Sequence, residues 1–289
     1  MPNSFRIQIR LWKNHWIKQY LNYRLAHNSD PLGIAFRKKP YRVLWILSHM
    51  RSGSSLLTHI LNTNPEIAGY GESHISYKGP QDFKSLISRV YWSSQEYRNL
   101  KDLQKLSLHE TYILDKLLHN NKLVDISLLQ SDNVYVIFLV REPRRSLNSI
   151  RDLKPDWSEE KTFHHYCDRL KELVRYAESM SSSERALLLR HDQLIEHSPQ
   201  VFKALQDFLG TEIGFSEKYQ ILKTTGAKHV GDSKGDIRAG QIMRTQRELK
   251  ETISQDYVDQ AQIVYQDCCD RLSKLASVID MPMPVSCFS

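Results

Sequence analysis

The chain has little of several things that would narrow its class at once. Four cysteines occur in 289 residues: Cys167, Cys268, Cys269 and Cys287. None has zinc-ligand spacing, and Cys268 and Cys269 are adjacent, so neither a metal site nor a disulfide framework is indicated. Cys268 reads more simply as a small buried hydrophobe on a helix. No stretch approaches the roughly 18 consecutive apolar residues of a membrane span. The basic N-terminus is interrupted by charges and amides, unlike a signal peptide. The expectation is a cytoplasmic protein. The G-x-x-x-x-G-K-[ST] pattern of a Walker loop is also missing, which argues against an ATP- and magnesium-using kinase. There is no internal repeat and no low-complexity segment.

What is present is ordinary for a globular chain: 40% hydrophobic and 25% charged residues. Lys and Arg total 40 against 33 acidic residues, for a net charge of +7. A basic balance suits a polyanionic partner, whether nucleic acid, an anionic membrane face or a phosphorylated cofactor, and does not choose among them. The pattern divides the chain into a basic helical extension, residues 1–40, and one domain, residues 41–289. In the extension Phe5, Ile9, Trp12, Trp16 and Tyr20 recur at helical spacing, with Arg6, Arg10 and Lys13 on another face. Such a helix can lie on a membrane surface or pack on its own domain, and the second is the commoner outcome.

Arg42 to Leu47 (RVLWIL) is a short apolar run of strand formers, followed by a Ser/Gly-rich turn and a helical pattern from Ser54 to Asn62. Residues 80–130 read as mainly helical. Val134 to Val140 (VYVIFLV) is seven apolar residues in a row, as in a strand buried on both faces. Pro143 then opens a helix at its first turn. Residues 158–180 read as a long helix, Ala186 to Leu189 as a third core strand, Ser198 to Leu209 as a helix, 224–242 as a loop, and 246–278 as helical. Strands alternating with helices give an α/β fold with a largely parallel sheet.

Two segments carry candidate chemistry. Ser48-His49-Met50-Arg51-Ser52-Gly53-Ser54-Ser55 lies between a strand and a helix, where free backbone N–H groups and the positive end of the helix dipole bind phosphate. Gly53 permits close approach, Arg51 supplies charge, and Ser54 and Ser55 supply hydroxyls. Arg141 directly follows the Val134–Val140 strand, at the carboxyl edge where open α/β sheets bind ligands. The helix that Pro143 opens carries Ser149, eight positions on. Arginine can grip a phosphate with two N–H groups, and serine can add one more bond. Taken singly, each is equally well a structural turn or a salt-bridge residue.

Together they resemble the sulfotransferases that use 3′-phosphoadenosine 5′-phosphosulfate (PAPS). Arg51-Ser52-Gly53-Ser54-Ser55 is similar to that family's 5′-phosphosulfate loop, with the arginine found in carbohydrate and tyrosyl-protein members. Arg141 and Ser149, in an R-[DE]-P-R context, are similar to its 3′-phosphate site. Gly71-Glu72, 21 residues past Arg51, resembles a segment carrying a catalytic glutamate, and Lys116, 25 residues before Arg141, lies near a catalytic lysine. Leu189 to Leu194, Pro199 and Phe208-Leu209-Gly210 resemble the stretch R-Y-E-x-L…P…F-L-G. The likeness spans roughly residues 42–240. The chain departs from it at Lys116-Leu117-Leu118, where Lys-Thr-Pro is usual, and at Gly231-Asp232, where Gly-Asn is common.

The resemblance implies a P-loop-like central parallel sheet flanked by helices, and a soluble, bacterial-like enzyme. PAPS would be the sulfuryl donor, 3′-phosphoadenosine 5′-phosphate the product, and no metal would be needed. Arg51, Ser52, Gly53, Ser54, Ser55, Arg141 and Ser149 would hold the nucleotide, with Lys234 and Arg238 as a lid. Glu72 would take the acceptor proton, with His74 as the rival base and Lys116 adding positive charge. The acceptor would be a small molecule, sugar or peptide with a hydroxyl or amine, and no nucleic acid is expected. The other readings are a P-loop kinase and a non-catalytic basic binder of nucleotide or lipid.

Overall fold

The computed structural model describes residues 3–69, 71–94, 108–221, 236–244 and 252–280. Among these residues, five strands form one parallel sheet in the order β2-β3-β1-β4-β5. They are β1 (Arg42–Ser48), β2 (Ile67–Gly69), β3 (Tyr112–Leu117), β4 (Val134–Val140) and β5 (Ala186–Arg190). The helices are α1 (Asn3–Ala26), α2 (Ser54–Thr63), α3 (Asp82–Arg89), α4 (Pro143–Leu153), α5 (Glu159–Glu178), α6 (His191–Glu196), α7 (Ser198–Leu209) and α8 (Gln255–Leu275). The α/β class with a helix-flanked parallel sheet is therefore as the sequence implied.

The central strands are buried on both sides, which explains their unbroken apolar runs. Alternate residues serve opposite faces. Val43, Trp45 and Leu47 of β1 join Val136 and Phe138 of β4 in a core layer with α1, α3, α5 and α8. Leu44 and Ile46 join Ile137 and Leu139 in a second layer with α2, α6 and α7. Trp45 is thus core, as is Cys268. Local signals set the helix ends. The Ser158 hydroxyl accepts from the Lys161 N–H at 3.1 Å and starts α5. Pro143 opens α4 behind Glu142, whose carboxylate accepts from the Arg145 N–H at 3.0 Å. Gly210, at φ 64°, ends α7.

One expectation is corrected. Within the span 80–130, read as mainly helical, residues 112–117 are not helix: β3 is a strand next to the sheet's centre, in register with β1 from Arg42↔Tyr112 to Leu47↔Leu117. All six of its residues are buried, including Asp115 and Lys116. Two adjacent charges hid the apolar run that marks the other core strands. The chain crosses back between each of the four successive pairs of strands, all of them parallel, so every strand ends at one edge. The loop after β1, Glu72 after β2, Lys116 near the end of β3, Arg141 after β4 and His191 after β5 all lie there. Among the described residues, no helix is long and apolar enough to cross a membrane.

Candidate active site

The loop after β1 is held from below and tightened by two left-handed residues. The Ser48 hydroxyl donates to the Leu139 carbonyl of β4 at 2.7 Å. Arg51 sits at φ 64° and Gly53 at φ 92°. Left-handed backbone is costly for arginine and tends to occur where function demands it. Gly53 is required twice over. Its φ suits glycine, and a Cβ placed there would come within 2.5 Å of the His191 ring. α2 begins immediately afterwards at Ser54, so its first N–H groups face the loop.

The two candidate phosphate elements touch one another. Arg51 Nε donates to Ser149 Oγ at 2.7 Å, and Arg141 Nη1 donates to the Arg51 carbonyl at 3.1 Å. The Arg141 backbone is pinned on both sides. Its N–H donates to His49 Nε2 at 3.0 Å, and its carbonyl accepts from the Tyr166 hydroxyl at 2.7 Å. Burial pushes Arg141 down to about 10; Glu142 opposes this, while the charges of Arg145 and Arg51 push the same way. Three arginines thus converge with one carboxylate among them. That arrangement is eased by a bound anion.

The second half of the site gathers on Glu72. Gly71, at φ 112°, turns the chain after β2 and delivers Glu72 into the interior. Lys116 Nζ lies 3.8 Å from Glu72 Oε2 and donates to Ser55 Oγ at 3.0 Å, linking this half to the loop. Burial pushes the Lys116 ammonium below the ordinary lysine range, Glu72 and Asp115 pull it up, and Arg51 pushes it down. His74 Nδ1 lies 3.4 Å from Glu72 Oε1, and His119 Nε2 lies 4.0 Å from the same oxygen. His74 is itself left-handed, at φ 58°. A cleft of about 580 Å³ opens beside it, lined by His119, Asn120, Asn121, Lys122, His165 and Asp168 among others. Its side chains are polar or charged apart from Leu118, but polar and apolar atoms share its surface about equally.

Of the residues singled out from sequence, Arg51, Arg141 and Ser149 on one side and Ser55, Lys116, Glu72 and His74 on the other make up a two-part set of contacts joined through the loop. Ser52 and Ser54 are buried in the same loop. Arg238 is exposed on the short turn Asp236–Ala239, outside that set. Lys234, Gly231 and Asp232 lie outside the described residues.

Four further residues support the site; Asp115, Arg169 and His119 carry no reading in the sequence, and His191 enters only within the Leu189–Leu194 stretch. Asp115 accepts from the Ser73 N–H at 2.8 Å, from the Ser73 hydroxyl, and from the Tyr77 hydroxyl at 2.8 Å, which fixes the Glu72–His74 segment. Burial raises its pKa. Arg169, wholly buried on α5, donates to Ser48 O at 2.8 Å, Leu117 O at 2.6 Å and Asn120 Oδ1 at 2.9 Å, tying the ends of β1 and β3 together. Its signal was an arginine on the apolar side of a helix, at the spacing Tyr166, Arg169, Leu170, Leu173. His119, pushed down to about 4 by burial and neighbouring cations, stays neutral near Glu72. His191, pushed down to about 3 by burial, backs Gly53. Among the described residues, no group of three or more His, Cys, Asp or Glu side chains could hold a metal ion.

Comparison with known proteins now bears on this site. The profile of the Sulfotransferase family matches residues 44–217, which include the loop, Glu72, Lys116, Arg141 and Ser149. No curated protein sequence matches the chain. Among solved structures, the sulfotransferase domain from the curacin biosynthetic pathway is similar in fold. It has a TM-score of 0.50 and 16% identity, over 85% of this chain and 100% of that one. The sulfotransferase domain of the Synechococcus PCC 7002 olefin synthase matches with a TM-score of 0.43 and 17% identity, over 86% of this chain and 98% of that one. A mouse sulfotransferase complexed with PAP matches at 0.40 and 11%, over 67% and 63%. With more than half of its length matched by the family profile, and with that match spanning both halves of the site, the chain belongs to the sulfotransferase family.

Proposed function

We propose that the protein moves a sulfuryl group from PAPS to a hydroxyl on a polar acceptor. The observation that carries this reading is the direct contact between Arg51, Arg141 and Ser149 at the edge where the Gly53 turn leaves no room for a side chain. The residues suit a doubly phosphorylated nucleotide. The Arg51–Ser55 turn and the start of α2 would hold the 5′-phosphosulfate end. Arg141 and Ser149 would hold the 3′-phosphate, the group that separates PAPS from ATP. Bound, PAPS supplies an activated sulfuryl group, and its transfer to an acceptor oxygen leaves 3′-phosphoadenosine 5′-phosphate.

The chain's own residues supply positioning and charge, which dominate such transfers. Arg51 and the loop N–H groups would stabilise the negative charge that grows on the leaving phosphate. Lys116, buried and bonded to Ser55, adds a fixed positive charge between loop and Glu72. Glu72 takes the acceptor proton. It is buried and in reach of Lys116, whereas His74 is partly exposed at the rim of the cleft, so His74 orients Glu72 or the acceptor instead. The polar side chains that line the cleft offer hydrogen-bond partners to a hydroxylated acceptor such as a sugar.

The test is calorimetric titration with 3′-phosphoadenosine 5′-phosphate and with adenosine 5′-phosphate, both in EDTA. Tight binding of the first and weak binding of the second supports the reading. Equal binding, or none, with the protein folded would overturn it.

A further inference from the structure

The chemistry above uses one edge of the sheet and gives α1 no part. α1 has two unlike sides. Ile17, Leu21 and Leu25 are buried in the core layer shared with α3 and α5. On the opposite side Trp12, Trp16, Tyr20 and Tyr23 fall at i, i+4, i+8 and i+11, one stripe of a 3.6-residue helix. They expose 65%, 59%, 40% and 47% of their surface. Trp12 and Trp16 pack edge to face, 5.9 Å between centroids.

Phe36 extends the stripe. It stacks on Tyr23 at 6.4 Å and is 83% exposed. Its φ is 64°, a conformation that a bulky aromatic residue avoids. The loop is bound to the helix all the same. The Arg24 guanidinium lies 5.4 Å from the centroids of both the Tyr20 and the Phe36 ring, and it donates to the Tyr20 hydroxyl and the Ala35 carbonyl. A strained backbone therefore holds an aromatic side chain out in water, beside four others. Aqueous solvent alone gives no reason for that.

Charge names the occupant. Residues 1–29 contain five Lys or Arg (Arg6, Arg10, Lys13, Lys18 and Arg24) and no Asp or Glu, in a chain whose net charge is +7. A second copy laid on this face would bring like charges together. An anionic surface would not. Tryptophan and tyrosine prefer the headgroup region of a bilayer, and basic residues beside them are drawn to anionic lipid. We infer that α1 and the Phe36 loop dock on an anionic lipid bilayer, with α1 lying in the plane of the surface and its aromatic stripe seated among the headgroups. The enzyme is thereby a peripheral membrane protein, and it meets its acceptor at a surface.

The test uses the full chain and sedimentation with vesicles of phosphatidylcholine, alone or mixed with phosphatidylglycerol. Binding to the mixed vesicles should be at least about tenfold tighter, as expected when several basic residues approach an anionic surface, and should weaken in high salt. The double variant Trp12→Ser/Trp16→Ser should lose that binding with its melting temperature and its 3′-phosphoadenosine 5′-phosphate affinity unchanged. Equal binding to the two vesicle types, or no binding to either, overturns the inference. So does self-association that light scattering detects in the wild type and that the double variant abolishes, because the stripe would then serve a second copy. The nucleotide titration is independent of all these outcomes, so failure here leaves the proposed chemistry standing.

Discussion

The two halves of the site are built on different plans. The half around Arg51, Arg141 and Ser149 is made of short contiguous segments, one after β1 and one after β4, the two neighbouring strands at the sheet's centre. Its charge is unbalanced: three arginines face one another, with Glu142 beside them. The half around Glu72 draws single residues from the ends of β2 and β3 and from the segment after β3. Its charge is closer to balance: Lys116 faces Glu72, and Asp115, whose pKa burial raises, lies beneath. An unbalanced cluster gains free energy when an anion arrives, whereas a balanced one is already satisfied and is poised to pass a proton. Binding and turnover should therefore be separable by mutation.

The sharpest separation comes from Glu72→Gln. Loss of a positioned base lowers the rate by about 10²–10⁴-fold, while the carboxamide keeps the side chain's size. Steady-state kcat should fall by that range, with calorimetric affinity for 3′-phosphoadenosine 5′-phosphate unchanged. If affinity falls in parallel, the two halves are one unit and the comparison fails. Arg141→Ala is the mirror experiment. Removing a charge-assisted contact costs about 1.5–3 kcal/mol, or roughly tenfold to a hundredfold in affinity. The 3′-phosphorylated nucleotide should lose that much and adenosine 5′-phosphate little. Equal losses for both would place Arg141 outside a 3′-phosphate pocket.

The same contrast explains what could be read from the sequence. Arg51 to Ser55 and Arg141 to Ser149 could be singled out as candidates because a phosphate-binding turn needs small residues, a positive charge and a helix start in one continuous stretch. β1 and β4 were legible because both faces are buried and their apolar runs are unbroken. β3 was not. Asp115 and Lys116 interrupt it at the point where the sheet spends buried charge on the site, so the segment read as helix. Asp115, His119 and Arg169 escaped notice for a related reason. Each acts on residues 38 to 121 positions away or across a strand end, and only the folded sheet brings them together. α1 was legible as a helix, and its aromatic spacing was visible, but which side faces the core depended on Ile17, Leu21 and Leu25 finding α3 and the core layer around it.

The smallest expected effect concerns the residue that joins loop to strand end. His49 is buried, and burial pushes its pKa from 6.5 to about 3. The Arg141 N–H already donates to Nε2, and Nδ1 lies 2.8 Å from the Met50 carbonyl, so the neutral ring carries its proton on Nδ1 and has no acceptor for a second. The unfolded chain takes up that proton near 6.5, whereas the folded one resists until about 3. His49 therefore supports the fold fully above the unfolded pKa, and its support is lost as pH falls below 6.5 toward 3, by up to about 1.4 kcal/mol per pH unit. His49→Gln offers the Arg141 N–H a carbonyl oxygen that does not titrate in this window. Urea unfolding at about pH 7 and about pH 5.5 should show the wild type losing about 1 kcal/mol more than the variant on acidification, by the same linkage. His191 and His119 remain in both proteins, so their acid sensitivity cancels in the difference. Equal losses would mean that His49 can be protonated in the fold, and that the contact between loop and Arg141 does not depend on a neutral ring.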